Sequence, residues 1–462
     1  MSTLSNEAID LSSSRRVHLI GVGGSGMSAI AEILHGTGHV VSGSDLRRSA
    51  PLDRLTGEGL NISIGHAADN LGNAEIVARS TAIPDDNPEV RAAVAKGIAV
   101  LRRAELLRAI TAQWQTISVA GTHGKTTTSA MLTTALQGCG LDPAYIVGGD
   151  LRDLGHGAAV GSGSLLVVEA DESDGTFVEL VSSAVVITNV EPDHLEHYGG
   201  FAGLQQAFVR FLEQCEGPKL VCADDPGTAQ LAATVPGVST YGESTSATWQ
   251  IVDPLPTPSG ISFSVNGPDG IYEIHLQQPG LYNAKNATAA LGMAASLGAD
   301  PTRAAAALSG FGGVGRRFER RGEVGGITFV DDYAHLPTEV SVALAAARSL
   351  APERLVAVFQ PHRYSRTEQL WSTFGDSFVE ADLLIITEIY ASGEQPRSGV
   401  TGQLIADDVR QRHPHLDVRF IAELDDVAAE LVQELRSGDL CMTLGAGDLT
   451  FLPDRVVGAL NS

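Results

Sequence analysis

Residues 118 to 130 read SVAGTHGKTTTSA. Within them Gly121, Thr122, His123, Gly124, Lys125, Thr126 and Thr127 spell a compact G-x-x-G-K-T-[ST] loop. The usual P-loop is G-x-x-x-x-G-K-[ST], and Val119 stands where its first glycine would be, so this is a shortened variant. The chemistry is unchanged. Glycines let backbone N–H groups converge on phosphate oxygens at a helix N-terminus. Lys125 is placed to reach β- and γ-phosphates, and the Thr126 hydroxyl to ligate Mg²⁺. The loop predicts nucleoside triphosphate binding.

A magnesium ion needs hard oxygen ligands. The run VVEADESD ends an apolar stretch with Glu169, Asp171, Glu172 and Asp174, and TNVEPDHLEHYG brings Glu191, Asp193 and His194. Two acidic strand ends after a P-loop strand converge at the C-terminal edge of a parallel sheet. Most of these carboxylates are expected to be solvated. Glu169 is the favoured ligand, because it lies inside the apolar run, where an unpaired charge is costly.

A second glycine turn precedes this one. In LIGVGGSGMSAIAEIL, Gly21, Gly23 and Gly26 form G-x-G-x-x-G, and Asp45 closes the next apolar run. Glycines for a tight turn and an acid for a ribose hydroxyl make a dinucleotide fingerprint. NAD, FAD and other diphosphates such as a UDP-sugar all satisfy it, and so does a turn needed only for packing.

Three βα-type blocks must position these groups. The first, 1–112, alternates RVHLIGV, the helix GMSAIAEILHGTG, HVVSGSD and AEIVARSTAI. The second, 113–320, has a strand at 116–120, the loop, a helix of about ten residues, then SLLVVEAD, SAVVITNV and GPKLVCADD. Residues 236–280 alternate in GISFSV and IYEIHL, which reads as antiparallel hairpins. The helix NAKNATAALGMAASLG follows. The third block, 321–462, strings GITFVDDYAH, RLVAVFQPH, ADLLIITEIY, DVRFIAEL and DLCMTLGAGD between helical stretches. The expected fold is α/β in three domains: an N-terminal Rossmann-like domain, a central P-loop ATPase-type parallel sheet with added hairpins, and a C-terminal Rossmann-like domain.

Composition narrows the function classes. The 462 residues carry a formal net charge of −24, which repels nucleic acid and anionic membranes. No apolar run approaches the roughly 18 residues of a membrane span, and the start of the chain lacks the apolar core of a secretory signal. A cytoplasmic protein is expected, monomeric or weakly homodimeric. The four cysteines, Cys139, Cys215, Cys222 and Cys441, form no C-x-x-C pair, so they are expected to be buried free thiols.

The chain resembles the Mur ligases of peptidoglycan synthesis. The residues that carry the resemblance are GVGGSGMSAIAEIL, AGTHGKTTT, EADESD, TNVEPDHLEHY, GLYNAKNATAA, GVGRRFE, DDYAHLPTEV, FQPHRYSRT and LGAGD, in the family's order. The most specific are AGTHGKTTT and DDYAHLPTEV. The resemblance implies that the first turn holds the diphosphate of a UDP-sugar and the second holds ATP. The opening turn points to the branch that joins L-alanine to the lactyl carboxylate of UDP-N-acetylmuramate through an acyl phosphate. The alternatives are attachment of a recycled tripeptide to the same sugar nucleotide and, more remotely, a nicotinamide-dependent oxidoreductase.

Carried over by residue, the resemblance places Gly23, Gly24, Ser25, Gly26, Met27, Asp45, His66, Ser80 and Thr81 around the UDP-sugar, and 121 to 127 around the ATP phosphates. It makes Thr126, Glu169 and His194 magnesium ligands, Asn286 the reader of adenine and Asp331 the ribose partner. Arg317 would face the transferring phosphate, with Lys125, His194, Arg317, His335 and His362 as the catalytic set. Tyr333, His362, Arg363 and Arg366 would border the amino-acid side, with His194 or His362 as base for the amine. Two departures stand out. No lysine occurs between Lys125 and Lys219, so the modified lysine of other family members is absent, and Leu336 stands where many relatives have a second histidine. Arg79 is expected to face solvent.

Overall fold

The computed structural model describes residues 9–149, 151–152 and 155–461. Its strands form three sheets. The first is fully parallel, in the order Asn61–Ile64, Val40–Asp45, Arg16–Ile20, Ile76–Arg79, Ala99–Arg102. The strand order reverses beside Arg16–Ile20, and the crevice at that reversal is where such sheets take ligands. The opening glycine turn leaves from this strand.

The central sheet has ten strands. The P-loop strand Gln115–Ala120 lies between Ala184–Ile187 and Leu165–Glu169, both parallel to it. The two acidic strand ends therefore flank the loop, as the sequence order implied. Lys219–Cys222 and Val238–Gly242 extend the sheet. Trp249–Thr257, Gly260–Gly267 and Gly270–Leu276 then continue it as an antiparallel meander. The helix after the loop, Lys125–Gly138, has 14 residues rather than about ten. Its TTTSAMLTTALQ run is almost wholly buried, so burial on both sides sustains it despite threonines of low helix propensity.

The third sheet is parallel through Ile327–Asp332, Asp439–Leu444, Arg354–Phe359, Leu383–Ile386 and Asp417–Phe420. An antiparallel edge strand, Glu319–Val324, joins it and straddles the expected 320/321 boundary. One apolar cluster runs continuously from the first sheet into the central one, joining Leu106, Leu107 and Ile110 with Phe177 and Leu180. The third sheet keeps its own clusters. From earlier in the chain, Tyr282 packs against them and Gly280 lies against Ala346.

Three of the cysteines are buried and unpaired; Cys139 is only half-buried. Among the described residues, no helix is long and apolar enough to cross a membrane.

Candidate functional site

Both glycine turns deliver a helix N-terminus with nothing on it. The helix Ser25–Gly36 starts at Gly24 and the helix Lys125–Gly138 at Gly124; neither has a side-chain cap or an acid in its first turn. Uncapped N–H groups and the helix dipole make both ends receptive to anions. Gly121 has φ +126°, and a Cβ there would lie 2.2 Å from Thr188 Oγ1, so only glycine fits.

A cleft of about 890 Å³ runs between the three sheets. Ser25, Glu32 and Arg54 line it from the first domain, Thr122, Lys125, Thr126, Glu169 and His194 from the central one, and Arg317, Tyr333, His335, His362, Arg363 and Arg366 from the last. The expected catalytic set therefore meets in one space.

Lys125 Nζ donates to Gly121 O at 2.7 Å, Thr122 O at 3.3 Å and Glu172 Oε2 at 2.8 Å. Burial opposes its charge, but Glu172, Asp171 and Glu169 outweigh burial and hold the ammonium above its usual pKa. Thr126 Oγ1 donates to Glu169 Oε1 at 3.1 Å, while Glu169 Oε2 accepts the Gly148 N–H at 2.6 Å. Among the described residues, no three His, Cys, Asp or Glu side chains gather as a metal cage. A hydroxyl and a carboxylate facing open space suit Mg²⁺, which takes its remaining ligands from phosphates and water. His194 lies on the same cleft at φ +52°, with Nε2 3.4 Å from Asp193 Oδ2.

His362 Nδ1 is 3.0 Å from Arg366 Nη1, and its ring stacks on Tyr390. Burial, then His335, Arg366 and Arg363, push its pKa down to about 3. Such a weakly basic imidazole is a poor proton acceptor; it accepts a hydrogen bond from Arg366 instead. Burial likewise lowers His335. Arg316 and Arg317 both hold their guanidiniums 4.9 Å from the centroid of Tyr333.

Several expected contacts are arranged otherwise. The Asn286 side chain is buried under the P-loop: Oδ1 accepts from Thr128 Oγ1 at 3.1 Å, and Gly124 leaves no room beside it. Asp331 is also buried, accepting from Thr443 and Thr450 at 2.6 Å each. Neither lines the cleft. Met27 is core. Asp45 accepts the Gly23 N–H at 2.9 Å and so braces the first turn. His66 is buried with Nδ1 3.0 Å from Ser44 Oγ. Ser80 lies against Gly21, and Thr81 follows it on the exposed side. Arg79 pairs with Asp85 at 2.6 Å rather than facing solvent free. Leu336 is buried and precedes the helix Pro337–Ser349.

The His123 imidazole, expected at the phosphates, lies between Glu339 Oε1 at 3.0 Å and Glu191 Oε2 at 3.4 Å. Burial disfavours its charge, but hydrogen bonds to Glu191 and Glu339 prevail and raise its pKa to about 9. The ordinary value is about 6.5. The stabilisation is therefore complete below about pH 6.5 and disappears as pH rises through 9. Thermal melts between pH 7 and 10 should show a falling midpoint, and His123→Gln should flatten that fall. A wild-type slope retained in the variant would contradict this.

The family profiles match in succession: Mur ligase family, catalytic domain, over 16–115; Mur ligase middle domain over 119–294; and Mur ligase, glutamate ligase domain, over 316–447. A UDP-N-acetylmuramate–L-alanine ligase from Nitratidesulfovibrio vulgaris is 45% identical over 449 residues, covering 96% of this chain and 98% of that protein. The chain belongs to the Mur ligase family. A relative of the same name from Bradyrhizobium diazoefficiens is 41% identical, again over 96% and 98% of the two chains. Among solved structures, the UDP-N-acetylmuramate–alanine ligase of Thermotoga maritima superposes with a TM-score of 0.82 at 28% identity, over 97% of this chain and 99% of its own. A murein peptide ligase from Psychrobacter arcticus shares the Mur ligase fold at 0.68 and 23%, over 97% and 99%.

Motif reading overlooked Glu339, Thr338 and Asn189 as parts of this Mur ligase site. Asn189 clamps the P-loop, accepting the His123 N–H through Oδ1 at 2.8 Å and donating to the His123 carbonyl at 3.1 Å. Its place two residues after the apolar strand Ala184–Ile187 was the available signal.

Proposed function

We propose that this protein is an ATP-dependent carboxylate–amine ligase that joins L-alanine to the lactyl carboxylate of UDP-N-acetylmuramate. The observation that carries the reading is the shared cleft. An uncapped helix start from the first domain, the Lys125 loop and the Arg363/Arg366 pair all open into it. The naming of relatives 40–45% identical supports the choice of substrates.

A carboxylate is a poor electrophile until an oxygen is phosphorylated. A lactyl oxygen attacks the γ-phosphorus of ATP, the bond to ADP breaks, and an acyl phosphate forms. The amine then attacks the acyl carbon and phosphate leaves. Lys125 and Arg317 offset charge on the moving phosphoryl group. Thr126 and Glu169 would hold Mg²⁺, which supplies further charge neutralisation at the phosphates. Arg363 and Arg366 offer guanidiniums to the amino-acid carboxylate. With His362 too weakly basic, the base for the amine falls to His194 among the two candidates, or to solvent.

Phosphate release should require the protein, ATP, Mg²⁺, UDP-N-acetylmuramate and L-alanine together. Release that ignores either co-substrate, or that prefers the tripeptide to L-alanine in competition, overturns the assignment.

A further inference from the structure

His123 is already committed at its backbone, through Asn189 and through Thr188 Oγ1, which donates to its carbonyl at 2.5 Å. Its ring bridges two carboxylates, Glu191 on the loop after Ala184–Ile187 and Glu339 in the first turn of the helix Pro337–Ser349. Thr338 Oγ1 donates to the same Glu191 oxygen at 3.1 Å. The other oxygen of Glu339 accepts the N–H groups of His335 at 3.0 Å and Leu336 at 3.2 Å. A chain of hydrogen bonds thus runs from the P-loop to the segment bearing Tyr333 and His335. The charged groups facing it are Glu191 and Glu339, with His335 and Arg317 acting on Glu339 from behind.

The contact joins groups that burial makes costly to separate. Apolar packing against the third sheet from earlier in the chain includes Tyr282, which joins its cluster, and Gly280, which lies against Ala346. Polar contacts add to this, at the cleft through His123 and Glu339 and away from it through Arg152, which bonds Glu319 and the Arg320 carbonyl. Glu339 is largely buried, and loss of the imidazolium takes the ring's hydrogen bond from Oε1 and leaves the two backbone N–H bonds to Oε2, which costs stability for a buried charge.

We propose that His123 is a positioning residue, a clasp that fixes the P-loop against the Glu339 helix and so sets the approach of the amine to the activated carboxylate. It is not a phosphate ligand. The inference rests on the ligase reading, because it gives His123 a part in aligning two half-sites for that reaction.

The test uses the full chain with His123→Ala, His123→Gln, Glu339→Gln and the His123→Ala/Glu339→Gln double variant. Misplacing a reacting group by about 1 Å can cost on the order of 100-fold in rate, so His123→Ala should lower kcat by about 30-fold or more. Affinity for a non-hydrolysable ATP analogue should stay within about threefold, because the backbone cradle is intact. His123→Gln keeps one donor and should recover part of kcat. The double variant should be no slower than the slower single one, the non-additivity expected of coupled groups. Small-angle scattering should show a larger radius of gyration for His123→Ala. Analogue affinity reduced about 30-fold with an unchanged radius would make His123 a phosphate ligand and overturn the clasp; so would multiplicative losses in the double variant. If His123→Ala does not fold, His123→Gln carries the same comparisons. Nucleotide titration and scattering need no turnover, so an inactive wild type would sink the ligase reading while still reporting on the clasp.

Discussion

Lys125→Ala should abolish phosphate release, lowering kcat by about 10³-fold or more, the scale seen when a cation on a transferring phosphoryl group is removed. The ammonium presently bonds two loop carbonyls and Glu172. Incoming phosphates must exchange with these acceptors, which a lysine kept charged by three nearby carboxylates is able to do. Alanine leaves Glu172, only 1% exposed, without its partner, and burial already raises that carboxyl's pKa. It will take up a proton, so the fold should survive with a lower melting temperature. UDP-sugar affinity, measured by calorimetry, should remain within about threefold, since the groups Lys125 bonds, Gly121, Thr122 and Glu172, belong to the central domain and effects at sites without shared partners add independently. Turnover within tenfold of wild type would remove the P-loop from the mechanism.

The features legible in the sequence were those written in local pattern. Apolar runs such as RLVAVF and DLCMTL became parallel strands, and both glycine motifs opened helices where their spacing placed them. The edge strand Glu319–Val324 escaped because ERRGEV has no apolar alternation; it is held by pairing with Ile327–Asp332. A signal was present nonetheless. Gly325 and Gly326 both have positive φ, as a two-residue hairpin turn demands, and Gly-Gly between strands is a hairpin signature.

Side-chain partners were less legible. Asn286 and Asp331 match their motifs, but what each one bonds depends on packing between distant segments. His123 and Glu339 lie 216 positions apart, and no periodicity connects them. The same limit applies to His362, whose weakened basicity comes from burial and from three cations or potential cations gathered by tertiary structure.

Arg317 should be the second residue whose loss is nearly complete. It and Arg316 flank the same tyrosine, yet their surroundings differ. Arg316 donates to the carbonyls of Gly445 at 2.7 Å and Gly447 at 3.1 Å, which ties it to the loop after Asp439–Leu444. Among the described residues, no carboxylate forms an ion pair with Arg317, which lines the cleft with its guanidinium carbon over the Tyr333 ring, 4.9 Å from the centroid. A guanidinium pre-oriented by stacking and left free to bond an anion suits a phosphoryl group gaining charge. Arg317→Ala should therefore reduce kcat by about 10³-fold, with affinity for ADP changed far less. Arg317→Lys keeps the charge but loses the planar fork and the stacking, and should recover about tenfold or less. Tyr333→Ala, which frees the guanidinium without removing it, should fall between wild type and Arg317→Lys. If the lysine variant instead matches wild type, a point charge suffices and the stacked geometry has no part in the rate.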